Sequence, residues 1–137
     1  MPSTPVPIPE PFRDLVSFEK RAFAHLATIM PDGSPQVTPV WFDYDGTCIL
    51  INSTRGRVKD RNLRRNPHVA LAISDPDNPY RYLQIRGRVV EITEEGADAM
   101  IDRLCYKYTG QPVYPRRRPG EQRVTYKILP LHVQGNG

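Results

Sequence analysis

The sequence has few of the residues that build disulfide frameworks and metal centres. It contains two cysteines, Cys48 and Cys105, and three histidines, and neither type is spaced as metal ligands are. Apolar runs fall far short of the ~20 residues that a membrane-spanning helix needs, and the N-terminus lacks a basic region followed by an apolar stretch. We therefore expect no metal site, no membrane span and a cytoplasmic location.

The motifs of several large enzyme classes are also missing. No GxGxxG follows a predicted strand, and there is no GxxxxGKS/T phosphate loop or GxSxG nucleophile elbow. No pair of carboxylates stands out as acid and base, so we assign no catalytic residue. If the chain is an enzyme, a bound cofactor should supply the reaction chemistry.

Proline is abundant instead. The 15 prolines among 137 residues are about double the usual ~5% share. Because helix interiors exclude proline, this content argues against an all-helical fold. Residues 1–12 alternate proline with small or apolar residues and are predicted to form an extended arm, and residues 13–137 are predicted to form one domain.

Short apolar segments separated by turn residues indicate β-structure in the first half of the chain. Apolar segments at 25–30, 36–42 and 48–52 are separated by turn residues at 31–34 and 44–46. This spacing predicts three strands in an antiparallel meander.

The second half alternates single helices with further strands. Gly87 predicts a bend or a close backbone approach within its strand. Thr93 and Gly110 are predicted to cap and end an amphipathic helix, and Pro67 requires the preceding basic helix to end by Asn66. The remaining predicted elements are a helix at 13–23, a loop at 75–79, and strands at 69–74, 82–92 and 123–133. The sequence therefore predicts a mainly β fold, a small β-barrel with peripheral helices.

The net charge of +4 is concentrated in two places. Residues 55–65 hold six basic side chains against one acidic one, and residues 116–118 are three arginines. Hydroxyls at Ser53 and Thr54, a helix start, and Arg57 and Lys59 together would form a phosphate receptor. A solvated helix face is the alternative. A basic nucleic-acid-binding module is a third possibility, but residues 55–65 contain no aromatic side chain for base stacking.

Three segments follow one another in the order and spacing of a known family: residues 27–35 (ATIMPDGSP), 39–42 (PVWF) and, above all, 59–71 (KDRNLRRNPHVAL). They resemble the pyridoxamine 5′-phosphate oxidase-like superfamily of split β-barrels, the flavin-reductase and FMN-binding type. Within it, the chain is most similar to the F420 (deazaflavin)-dependent reductases.

The resemblance implies an oxidoreductase that transfers a hydride between coenzyme F420 and a small organic substrate. It further implies a homodimer with cofactor sites at the subunit interface, to which the loop of Tyr80 and Arg81 would contribute from the other subunit. By position in the family, the ring would lie against Gln36, Thr38, Val40, Ile51, Asn52 and Ser53, and the phosphate against Arg55, Arg57, Lys59 and Asn62.

Strand alternation gives one independent argument for a ring on the second strand. It sends Gln36, Thr38 and Val40 to one face, where the two polar side chains would be costly if buried without partners. A heteroaromatic ring would satisfy them, although exposure of this face to water is the alternative. The density of cations favours F420, with its oligoglutamate tail, over FMN, which remains the alternative cofactor.

Overall fold

The short apolar segments form one antiparallel sheet in the computed structural model, which describes residues 4–137. Over these residues the sheet has seven strands in the order β2-β1-β5-β6-β7-β4-β3 and curls into a half-barrel, the split β-barrel architecture. The strands are β1 (Ala24–Ile29), β2 (Pro35–Val40), β3 (Asp43–Tyr44), β4 (Ile49–Thr54), β5 (His68–Asp75), β6 (Asn78–Thr93) and β7 (Arg123–Asn136).

In the described residues, two α-helices and one short 3-10 helix accompany the sheet. Helix α1 (Val58–Arg65) follows β4, and α2 (Ala97–Thr109) follows β6. The first helix ends at Asn66 and the second at Gly110, whose φ of 82° is left-handed, as predicted for both. Within residues 4–137, neither helix is long and apolar enough to cross a membrane.

The predicted meander is wrong, because β2 and β4 are not neighbours. Strand β2 is an edge strand that pairs with β1 alone, and β4 lies on the far side of the sheet between β7 and β3. Pro35 and Pro39 of β2 cannot donate backbone hydrogen bonds, which suits a strand with one neighbour. The turn at 44–46 instead joins β4 to the additional short strand β3.

The helix predicted at 13–23 is also wrong. A 3-10 helix spans Glu10–Val16, and Ser17 ends it by donating its hydroxyl to the Asp14 carbonyl at 2.7 Å. Pro11 in its first turn explains the early start, because proline has the right φ there and has no N–H to satisfy. The loop predicted at 75–79 is a tight turn between β5 and β6, which starts at Asn78.

The proline-rich arm lies along the sheet over its described part. The Val6 N–H donates to the Pro130 carbonyl at 2.9 Å, and Ile8 is buried in the core. Residues 1–3 of the predicted arm lie outside the described residues. The core itself fills the concave face of the sheet with side chains from most strands, among them Leu26, Phe42, Ile49, Ile51, Ile73, Leu83, Ile85, Tyr126 and Ile128.

Gly87 sits where β6 and β7 shift register, as the sequence predicts for a close backbone approach. A Cβ at this position would lie 2.5 Å from the Leu129 carbonyl oxygen. At the other end of β6, Thr93 does not cap α2. It accepts a hydrogen bond from the Glu95 N–H at 3.1 Å, and Gly96 is the N-cap residue.

Candidate functional site

A cavity of about 570 Å³ opens between the ends of β2 and β4, the start of α1, the inner face of α2 and residues 110–122. Its volume is within the range of small-molecule sites. Its lining divides into a polar and cationic group (Asn52, Ser53, Arg57, Lys59, Arg116 and Arg123) and an apolar group (Phe23, Trp41, Ile101, Leu104, Cys105 and Tyr114).

The cationic group begins where β4 turns into α1. Gly56 makes this turn with a φ of 93°, and Arg57 is the N-cap residue. An arginine side chain has no acceptor for the first-turn N–H groups, so these donors are left to solvent or a ligand. Burial, together with the nearby charge of Arg57, lowers the pKa of Lys59. An anion placed here would meet the helix N-terminus and two cationic side chains.

Arg123 adds a third cation from a different element, and sequence reasoning missed it. It is the first residue of β7 and is paired with Thr54, the last residue of β4. Its guanidinium donates to Asn52 Oδ1 at 3.1 Å and to Glu121 Oε1 at 3.2 Å, and it lies 4.8 Å from the centre of the Tyr114 ring. The available signal was an arginine as the first residue of the predicted strand 123–133.

An aromatic cluster forms the apolar wall. Trp41 is parallel to Tyr108 with ring centres 5.3 Å apart, and Tyr114 meets Trp41 edge-on at 6.3 Å. The Tyr108 hydroxyl donates to the Ala22 carbonyl at 2.6 Å, and burial raises its pKa to about 12. Tyr108 is therefore a neutral structural support behind Trp41.

The Asp102 carboxylate holds residues 110–122 against α2 at two points. Asp102 accepts hydrogen bonds from the Tyr114 N–H, at 2.8 Å, and from the Arg117 guanidinium. The hydrogen bond from Tyr114 and the pairing with Arg117 lower the pKa of Asp102 despite its partial desolvation. This fixes Tyr114 between the Trp41 and Arg123 side chains at the cavity wall.

The structure brings five of the sequence-predicted site residues to the cavity. Val40 comes from β2, Asn52 and Ser53 from β4, and Arg57 and Lys59 from the start of α1. The Asn52 side-chain amide also donates to the Ala97 carbonyl at 2.9 Å, which ties β4 to the first turn of α2.

Seven others lie outside the lining of this cavity. Gln36 and Thr38 are half-buried on β2, and Ile51 is fully buried in the core. Arg55 is exposed and pairs with Glu94 at 3.0 Å. The remaining three are Asn62, Tyr80 and Arg81.

These three have distinct surroundings. Asn62 is buried; it donates to Thr28 Oγ1 at 3.0 Å and accepts from Arg65 at 2.7 Å. Tyr80 is 82% exposed. The Arg81 guanidinium donates to Asp14 at 2.6 Å and to Asp75 at 3.0 Å, and these bonds raise its pKa. The roles of these seven residues as ligand contacts remain predictions.

Comparison with known proteins assigns the family. The family model of pyridoxamine 5′-phosphate oxidase matches residues 9–136. The structure of an F420 reductase is 37% identical over 93% of this chain and 98% of its own, with a TM-score of 0.82. A conserved hypothetical protein from Mycobacterium tuberculosis is 27% identical over 99% of this chain and 88% of its own, with a TM-score of 0.71. The chain therefore belongs to the pyridoxamine 5′-phosphate oxidase family of oxidoreductases.

Proposed function

We propose that the protein is an F420-dependent oxidoreductase acting on a small organic substrate. The observation that carries this proposal is the division of the cavity, in which a cluster of cations at a helix N-terminus adjoins an apolar, aromatic wall. A phosphate-bearing cofactor with a flat ring requires these two surfaces side by side. The likeness to an F420 reductase supports the choice of cofactor.

The cationic group would hold the phosphate. Arg57 and Lys59 come from the loop and first turn of α1, and Arg116 and Arg123 reach the same cavity from residues beyond α2. Charge-assisted hydrogen bonds from such donors are the strong ones. Burial and Arg57 lower the pKa of Lys59, and a bound anion would offset this by favouring the charged ammonium.

The apolar group would hold a ring and keep water away from it. A reduced deazaflavin supplies a hydride when bound. Trp41 is held parallel to Tyr108 and lines the cavity, so its indole offers a rigid apolar surface. Ile101 and Leu104 of α2 continue this surface without polar groups.

We further propose a homodimer, in which the cofactor lies at the subunit interface. The supporting observation is the edge position of β2, which carries the half-buried Gln36, Thr38 and Val40 and the 63% exposed Val37. A second subunit bearing Tyr80 and Arg81 would complete the site along this edge. The cytoplasmic location expected from the sequence stays a prediction.

FMN is the second candidate cofactor, because the family model is that of pyridoxamine 5′-phosphate oxidase and Arg57 and Lys59 suit either phosphate. Nucleic acid is a poorer candidate. Arg57, Lys59, Arg116 and Arg123 line a cavity, whereas backbone binding needs cations along an open face.

Calorimetric titration of the purified protein with F420 and with FMN tests the proposal. We expect F420 to bind more tightly, and Lys59→Ala to weaken that binding by about 1.5–3 kcal/mol, the range for a charge-assisted hydrogen bond. Arg61→Ala is the matched control, since Arg61 is an exposed cation on the same helix. Equal losses in the two variants would show a diffuse charge effect and contradict the assignment of Lys59.

A further inference from the structure

A buried carboxylate lies beneath the loop that leads into α1. Asp60 is 2% exposed. One of its oxygens, Oδ2, accepts a hydrogen bond from the Gly56 N–H at 2.9 Å, and the other, Oδ1, accepts one from the Tyr126 hydroxyl at 2.6 Å. The Arg64 Nε group donates to both oxygens, at 3.0 and 3.1 Å.

A carboxylate beside a phosphate site is electrostatically unfavourable. Asp60 follows Lys59 directly and is one turn from Arg57, so its negative charge weakens the attraction of these cations for a phosphate. It also takes the Gly56 N–H, a donor that a phosphate could have used. Its contribution must therefore be to the shape of the loop.

The hydrogen bonds connect the loop to the rigid part of the fold. Tyr126 is fully buried on β7 and is paired with Ile51 of β4, in the middle of the sheet. Asp60 joins this phenol to Gly56, where the backbone takes its left-handed turn. The connection from the sheet through Tyr126 and Asp60 thus fixes the point from which Arg57 starts α1.

We propose that Asp60, held by Tyr126, is a positioning residue that sets the loop and the first turn of α1 in the conformation that binds the cofactor phosphate. The inference rests on the proposed function, in which Arg57 and Lys59 hold that phosphate.

The ionisation of the pair fits this role. Burial opposes ionisation of Asp60, but the hydrogen bonds from Gly56, Tyr126 and Arg64 outweigh it and lower its pKa. Burial and the Asp60 carboxylate raise the pKa of Tyr126, which therefore stays a protonated donor.

The Asp60→Asn variant distinguishes a positioning role from a simple charge effect, because the two predict opposite changes in the affinity for phosphate. The substitution removes a negative charge next to the phosphate site, so charge alone predicts tighter binding. It also places an amide N–H against one of the donors around Asp60, which breaks a hydrogen bond that holds the loop. A positioning role therefore predicts weaker binding. The probes are the deazaflavin core with its phosphate, lacking the glutamate tail, and the same core without phosphate, each titrated calorimetrically into the intact protein.

We expect Asp60→Asn to reduce the ratio of the two affinities by about tenfold, the lower end of what a lost charge-assisted contact costs. Tyr126→Phe keeps the charge and should reduce the same ratio by about threefold, the effect of a lost neutral hydrogen bond. Binding of the phosphate-free core should stay unchanged in both, whereas a general structural defect would weaken both probes. Arg61→Gln, which changes the charge of α1 at an exposed position, is the control.

An unchanged or increased ratio in Asp60→Asn would overturn the positioning role. If Asp60→Asn does not fold, as judged by circular dichroism, the ratio for Tyr126→Phe decides in its place. Equal binding of the two probes by the wild-type protein would instead overturn the phosphate site itself, and the positioning role with it.

Discussion

Lys107 places an ammonium group inside the fold, near the C-terminal end of α2. It is 3% exposed, donates to the Phe42 carbonyl at 3.1 Å and lies 4.5 Å from the centre of the Phe42 ring. Burial lowers its pKa from 10.5 to about 8, with the nearby Asp43 carboxylate opposing the shift. The last turn of a helix favours a cation, but burial makes the charged form of Lys107 unfavourable, so its contribution to stability depends on pH.

We expect the stability of the protein to rise between about pH 8 and pH 10, by up to about 2 kcal/mol. In this range the unfolded chain keeps a proton on Lys107 that the folded chain has released, so raising the pH favours the fold. Chemical denaturation at several pH values measures the slope. Above about pH 10 the trend should reverse, since Tyr108, with its raised pKa of about 12, then ionises more readily in the unfolded chain.

The matched variants for this prediction are Lys107→Met and Lys127→Met, the latter at a partly exposed position on β7. Lys59, whose pKa is also lowered, contributes a slope of the same sign. The difference between the wild type and Lys107→Met at each pH therefore isolates Lys107. A slope that persists in full in Lys107→Met would contradict the assignment.

Residues 110–122 are the element of the site that depends most clearly on a single side chain. The Asp102 carboxylate receives both the Tyr114 N–H and the Arg117 guanidinium. Nearby, the Asp98 carboxylate makes only an ion pair with Arg117 at 3.3 Å and is 74% exposed. The two acids lie one helix turn apart on α2, but only Asp102 also binds the backbone of the segment, at Tyr114.

Asp102→Ala should release this segment, while Asp98→Ala should leave it in place. We expect trypsin to cleave Asp102→Ala at Arg116 or Arg117 about tenfold faster, which corresponds to about 1.4 kcal/mol of local stability. The measurement is the rate of appearance of the two fragments under native conditions. Equal rates for the two variants would contradict the role given to Asp102.

The sequence predicts those elements whose boundaries are set locally. Helix α1 ends at Asn66 because Pro67 disfavours a helical conformation in the residue before it. Helix α2 ends at Gly110 because glycine readily takes the left-handed conformation of a helix end. Strand pairing depends on residues far apart in the chain, and for this reason the β4–β7 pairing, and with it the arrival of Arg123 beside Thr54, could not be predicted. Asn62 also donates to Thr28, 34 residues away, and Arg81 to Asp14, 67 residues away, so these hydrogen bonds were not foreseen either.

The charge of the whole molecule matters for the choice between cofactors. A single phosphate needs two or three donors, which Arg57, Lys59 and Arg123 would supply. The sequence has further cations without such a role, among them the exposed Arg118. An oligoglutamate tail crossing this surface would meet several of them, and each exposed pair contributes at most ~1 kcal/mol.

We therefore expect the affinity for F420 to increase with the number of glutamates in its tail, and this increase to shrink at high salt. Exposed charges are screened beyond about 10 Å at 0.1 M salt, whereas contacts inside the cavity are screened less. Titration of F420 species of defined tail length at low and high salt measures both effects. An affinity that does not depend on tail length at low salt would remove the electrostatic preference for F420 over FMN.

Trp41 is the one tryptophan of the chain, and the fold places it on the cavity wall between Tyr108 and Tyr114. The protein consequently carries an intrinsic optical probe at the site of interest. A ring bound in the cavity would lie close to the indole and should change the Trp41 emission. Movement of Tyr114 would change the same emission by altering the polarity around the indole. Cofactor occupancy and release of the 110–122 segment are thus both open to observation by fluorescence on the unlabelled chain.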